Sequence, residues 1–149
     1  MVASTIDAPK LSQKITAASL VGLSDFTSMD IHDSILAGFP YKSISTFKLA
    51  STLKLDTIRL TLALKKRQLV NRKKTGRLTH NESERLYRLA TVFEHAVDLF
   101  EGDIAATVEW LNKERSVLGG RTPLEMTTTN VGANEVLHLI GRLEHGIFS

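Results

Sequence analysis

Between Lys65 and Arg77 the chain concentrates the residue types that bind a polyanion. Lys66-Arg67-Gln68-Leu69-Val70-Asn71-Arg72-Lys73-Lys74 holds five Lys or Arg in nine residues and only two apolar ones. Packing alone does not explain that clustering. At ~100° per residue along a helix, Leu69 and Val70 face inward, and Arg67, Gln68, Asn71 and Arg72 face out. Gln and Asn can pair bidentately with adenine, and Arg with guanine, in a major groove. Lys65, Lys66, Lys73, Lys74 and Arg77 are placed to neutralise phosphates. The segment reads as a DNA-binding helix with its flanks; the plainer alternative is a basic helix that only meets solvent.

Other spacings carry less chemistry. Glu135 and His138 are three apart and share a helical face, but a di-metal bundle site needs a second such pair and two further Glu. His138 and His145 lie two turns apart, too far to share one ion unaided. Gly119-Gly120-Arg121-Thr122 could hold an anion at a helix N-terminus, although capping alone explains Thr122, Pro123 and Glu125. The sequence has no Gly-x-Ser-x-Gly, no phosphate loop and no Gly-x-Gly-x-x-Gly. With no cysteine, it can form neither disulfides nor thiolate metal sites. Catalytic residues, metals and cofactors are therefore not expected.

Charge divides the chain. Residues 1–40 carry two Lys against four Asp; residues 41–90 carry thirteen Lys/Arg against three acids; residues 91–149 carry four against nine. A basic middle and an acidic end imply two partners, the first a polyanion. At 149 residues and 42% apolar content, one small folded unit is expected rather than a disordered chain. There is no membrane-length apolar run and no signal-peptide layout, so a cytoplasmic protein is expected.

The elements that must position these residues read as all-α. Residues 1–37 form an N-terminal arm: 1–27 read as flexible or ordered by a partner, with a short helix near 14–20, and a second short helix over 29–37 is capped by Ser28. Gly38 and Pro40 close it. Residues 42–64 also admit a strand, because Ile58, Leu60, Leu62 and Leu64 alternate with Arg59, Thr61 and Ala63. No tight-turn residue separates the runs, so two helices, 42–53 and 56–63 with Asp56 as cap, are preferred. With the basic helix 66–74, stopped by Gly76, they make a helix-turn-helix candidate over 38–78. Thr79-His80-Asn81-Glu82 is a capping box opening a long helix with its stripe at Leu86, Leu89, Ala90, Phe93, Val97 and Phe100. Asp103 caps the next helix, with Trp110 at the flank of its apolar face. Leu118-Gly119-Gly120 makes a turn, and Thr122-Pro123-Leu124-Glu125 a second capping box. Gly132 precedes a last helix that Gly146 stops, leaving Ile147-Phe148-Ser149 beyond it. Two destinations are open to Phe148: a partner's pocket or its own core.

Residues 64–79, followed by Glu82-Ser83-Glu84-Arg85-Leu86, resemble the DNA-binding core of Xre/MbcA/ParS-type antitoxins. Trp110-Leu111, the run from Leu118 to Leu124, Gly132, Val136 and Arg142-Leu143-Glu144-His145-Gly146 resemble that family's toxin-binding domain. The resemblance covers about residues 38–149, and its second half is the more specific. It implies a bacterial type II antitoxin whose toxin carries a RES domain, resembles ADP-ribosyltransferases and destroys NAD. Such an antitoxin holds the toxin inactive and represses their shared operon through its helix-turn-helix. The resemblance makes 79–149 the toxin-binding domain, with contacts at Trp110, Leu118, Gly119, Gly120, Arg121, Thr122, Pro123, Arg142, His145 and Gly146; the apolar tail Ile147, Phe148 and Ser149 is expected to join them. The end of the chain would enter or cover the toxin's active-site mouth. Partners are the toxin, operator DNA and a second copy within a larger complex. Gln68-Leu69-Val70-Asn71-Arg72 stands where the family usually has Thr-Leu-x-Arg-Arg, so the operator sequence does not carry over. The rivals are a stand-alone helix-turn-helix regulator whose C-terminal half dimerises, and an enzyme built on Glu135 and His138.

Overall fold

The structure, a computed structural model, describes residues 14–23 and 27–146. In chain order its helices are α1 (Ala17–Leu20), α2 (Ser28–Ala37), α3 (Lys42–Ser51), α4 (Leu55–Thr61), α5 (Lys66–Thr75), α6 (His80–Leu99), α7 (Ile104–Leu111), α8 (Pro123–Met126) and α9 (Asn130–Glu144). A 3₁₀ turn, Ser116–Leu118, precedes α8. Among the described residues the fold is all-α; Ile58, Leu60 and Thr61 lie in a helix that ends at Thr61, and Leu62–Leu64 form the turn after it, so the alternation in 58–64 is not a strand. No described helix is long and apolar enough to cross a membrane.

The long helix α6 is the spine. Thr79 and Glu82 form the expected reciprocal cap, which supplies partners for two otherwise orphaned N–H groups. Leu86, Leu89, Ala90, Phe93 and Val97 are all buried along it, joined by Val92 and Ala96. The burial therefore runs wider than one stripe, because helices pack on α6 from both directions. Phe47 of α3 meets Phe93 edge-on, with ring centroids 5.6 Å apart. Such a pair adds about 1 kcal/mol beyond its buried area. On the other side α9 contributes Val136, Leu139 and Ile140 to the same core. Arg88 of α6 donates to the carbonyls of Thr127 and Thr128 at 3.1 and 3.2 Å, clamping the α8–α9 turn.

The arm is not free where the structure describes it. Ala17, Leu20 and Val21 are buried against α6 and α3, and the Ala17 N–H donates to Glu94 Oε1 at 2.8 Å. Ala17, Leu20 and Val21 are thus part of the core, a correction to the arm reading; residues 1–13 lie outside the described residues. Three boundaries also move. Thr27, not Ser28, caps α2. Asp56 does not cap α4; it sits in the first turn and pairs with Arg59 at 2.7 Å. α9 begins at Asn130 under a Thr129 cap, so Gly132 lies inside its first turn.

One core cluster runs from Ala17 to Ile140. The segments before and after Thr79 share α6, so a fragment starting at Thr79 would expose the apolar face that α1 and α3 cover. The basic segment is nonetheless closed at its own base. Tyr41 N–H donates to the Gly76 carbonyl and Leu78 N–H to that of Phe39, at 2.9 and 2.8 Å. Gly38 lies at φ +90°, and a Cβ there would overlap the Leu78 carbonyl. Only glycine tolerates both conditions.

Candidate functional site

Helices α3, α4 and α5 follow one another with joins of three and four residues, 52–54 and 62–65. The second join is fixed by arginines. Arg59 Nη1 donates to the Leu64 carbonyl at 2.7 Å and Arg85 Nη1 to that of Leu62 at 3.3 Å. This is a general division of labour in residues 41–90. Arg59, Arg72, Arg77, Arg85 and Arg88 all donate to carbonyls or carboxylates of the fold, as a planar fork does best. Arg67 makes no such bond among the described residues. The seven lysines Lys42, Lys48, Lys54, Lys65, Lys66, Lys73 and Lys74 are all exposed. The exposed positive charge without an acidic partner among the described residues is therefore Arg67, Arg77 and these lysines.

The phase of α5 differs from the sequence reading. Leu69 faces the core, but Val70 is 56% exposed. Arg72 turns inward and grips Glu82 of α6 with Nε and Nη2, at 2.8 and 2.9 Å to its two carboxylate oxygens. Leu69 and Arg72 are three apart and share the face toward α6, while Arg67, Val70, Asn71 and Lys74 share the opposite one. Gln68 is half-buried and its Oε1 accepts the Lys65 N–H at 2.8 Å, capping the helix. Arg77 is exposed, yet its Nη1 donates to Gly38. The outward set is thus Lys65, Lys66, Arg67, Asn71, Lys73, Lys74 and Arg77, with Val70 added, Gln68 half-buried at the cap and Arg72 turned inward.

Glu82 is almost fully buried. Burial pushes its carboxyl up, but hydrogen bonds from Arg72 and from the backbone and hydroxyl of Thr79, with the charge of Arg72, outweigh that and hold it below its ordinary value. A carboxylate depressed on folding contributes stability above its unfolded value of about 4.3. That contribution is lost as the pH falls through the lower folded value. Glu82→Gln is therefore expected to cost about 1–2 kcal/mol near neutrality. Its urea midpoint should converge on the wild type's as the pH drops below about 4. A gap that stays constant down to about pH 2 would show that the charge of Glu82 does not matter.

In the acidic half, the residues expected at a partner surface separate into two kinds. Trp110 is only 8% exposed and Leu118 6%, and Pro123 is buried. They are corrected to scaffold. Trp110 stacks near Phe100, centroids 6.3 Å apart, and carries the Arg115 guanidinium 4.9 Å above its ring. Arg115 in turn donates Nη2 to the Trp110 carbonyl, and its backbone bridges to Arg121. Burial pushes that guanidinium down from its ordinary value. The result is a rigid turn with Gly119 and Gly120 left-handed at φ +69° and +81°. Gly119, Gly120 and Arg121 are exposed, Thr122 is half-buried as the α8 cap, and Val117 stands out beside them. Val117 was not anticipated, although an apolar residue just ahead of a Leu-Gly-Gly turn is a signal for it. Arg142 is half-buried on the last turn of α9; His145 and Gly146 are exposed beyond it. Ile147, Phe148 and Ser149 lie outside the described residues. Glu135 and His138 are exposed, and no three possible metal ligands converge among the described residues.

Comparison with known proteins adds independent findings. Residues 95–146 match the family model of the antitoxin Xre/MbcA/ParS C-terminal toxin-binding domain. A protein called antitoxin Xre from Yersinia enterocolitica is 40% identical over 131 residues, which cover 87% of this chain and 88% of the relative. Antitoxin Xre of Photorhabdus laumondii is 46% identical over 74 residues, 50% of each chain. That of Pseudomonas putida is 33% identical over 69 residues, 46% of this chain and 43% of the relative.

Proposed function

This chain belongs to the Xre antitoxin family, and from that premise we propose that it neutralises an NAD-depleting toxin of the RES type and represses the operon encoding both. Antitoxins of this family are not enzymes, and the toxin is the partner of the C-terminal half. The observation that carries the DNA part is the outward face of α5: Lys66, Arg67, Asn71, Lys73 and Lys74, free of ion pairs among the described residues. In this reading α3–α5 are a helix-turn-helix, α5 enters the major groove, and the flanking lysines meet phosphates. A homodimer places two such helices on one operator, and assembles with toxin in the cytoplasm.

Toxin neutralisation rests on geometry of another kind. A pocket that admits a dinucleotide is a deep cleft, which a short segment can close. The exposed turn at Val117, Gly119, Gly120 and Arg121 supplies breadth for a dock. Arg142, His145 and Gly146 at the end of α9 lead into residues 147–149, which would cover the cleft. Three residues cannot supply the roughly 800 Å² per partner of a stable interface, so docking and closure separate experimentally. A chain truncated after Gly146 should still co-purify with the toxin but no longer stop NAD consumption by the complex. Full inhibition by the truncated chain would place closure in the helices instead.

A further inference from the structure

Val70 has no structural reason to be apolar. It lies outside the core cluster and is 56% exposed on a helix whose other outward residues are charged or polar. Leu69 already makes the inward contact. A β-branched residue also lowers the helix propensity of an exposed position. Its neighbours describe the missing partner. Arg67, Val70, Asn71 and Lys74 stand at i, i+3, i+4 and i+7, one straight row, and with Gln68 they line a shallow concavity. An apolar group set among hydrogen-bond donors matches a surface that is mostly acceptors with one apolar knob. The major-groove edge of an A·T pair is such a surface, because only thymine presents a methyl there.

We infer that Val70 is a specificity-determining residue: between Arg67 and Asn71 on α5, its isopropyl group contacts the 5-methyl of a thymine, so the preferred half-site carries an A·T pair at that step. The inference rests on the DNA-binding reading of α5 and adds to it the base that is read. Asn71, adjacent to Val70, is the residue type that pairs with adenine, which fits the same or the next base pair.

Uracil differs from thymine only by that methyl. The probe is the duplex immediately upstream of this chain's own coding sequence, prepared with thymine or wholly with uracil. The full-length protein and Val70→Ser are titrated against both by fluorescence anisotropy. Wild type should bind the thymine duplex roughly three- to tenfold more tightly than the uracil duplex. Val70→Ser should bind the two alike, with an unchanged circular-dichroism melt because the position is exposed. Equal wild-type binding to both duplexes overturns the inference without any variant, and so does a thymine preference that survives Val70→Ser. A fall in oligomeric mass of Val70→Ser with the thymine preference intact would assign Val70 to a protein contact instead. Binding of neither duplex above an unrelated one would overturn the DNA reading itself, and this inference with it.

Discussion

Replacing Arg67, Asn71, Lys73 and Lys74 together by alanine should weaken binding to the upstream duplex on the order of a thousandfold at moderate salt. A bidentate pairing of Arg or Asn with a base is worth about 1–3 kcal/mol. Removing each lysine should also flatten the dependence of log affinity on log salt by about one unit. All four side chains are exposed, and alanine is the best helix former, so the fold should persist. Arg72→Ala separates charge from direct DNA recognition. It removes one positive charge from the same helix, yet in the structure Arg72 grips Glu82. It should lower stability by about 3 kcal/mol, because it strands a buried carboxylate, and should leave the salt dependence of the folded protein nearly unchanged. Titrations between about 50 and 200 mM salt test both statements. Undiminished binding by the quadruple variant would remove α5 from the interface.

The second large effect is a change of sign within one helix. A Cβ at Gly132 would overlap the carbonyl of Met126, while one at Gly141 meets nothing within 4 Å. Both glycines lie in α9. Gly132→Ala must push the α8–α9 turn away from α9, and Arg88 holds that turn onto α6. A loss of about 3 kcal/mol is expected, a fall in melting temperature of roughly 10 °C for a chain of this size. Gly141→Ala should instead stabilise by about 0.5–1 kcal/mol, because it removes a flexible residue from a helix interior. Thermal melts of the two variants should move in opposite directions. The Gly132 variant should also lose toxin binding at temperatures where the wild type retains it. A shift in the same direction for both would show that the close approach at Met126 is not tight.

The parts legible in the sequence are those where local chemistry decides. Thr79, Asp103 and Thr122 announced their helices because a side-chain oxygen satisfying orphan N–H groups is a short-range device. Gly76 and Gly146 announced their ends because a left-handed residue favours glycine. The stripe of α6 was visible because twenty residues sample the helical period several times. The phase of α5 was not. Two adjacent apolar residues in a ten-residue helix leave its inward direction open by a full residue step, and the deciding interaction is polar. Arg72 resembles every other charge in that run until Glu82, ten residues on, is seen beside it. Trp110 failed similarly: its burial depends on Phe100 and Arg115, which come from other turns. The docking of Ala17, Leu20 and Val21 was hidden because four helical residues carry no period to read. How the segments on either side of Thr79 share one core was not legible, because a hydrophobic spine can serve both sides at once and a one-dimensional charge profile does not show sharing.

Cellular NAD tests the central claim most directly. The neighbouring open reading frame would be induced alone and together with this chain, and NAD measured within minutes, before growth arrest alters metabolism. NAD should collapse with the neighbour alone and hold near its starting level when this chain is co-expressed. The quadruple α5 variant should protect as fully as the wild type, since its defect lies in repression. Unchanged NAD under a neighbour that still arrests growth would contradict a RES-type partner, and NAD loss undiminished by this chain would contradict neutralisation.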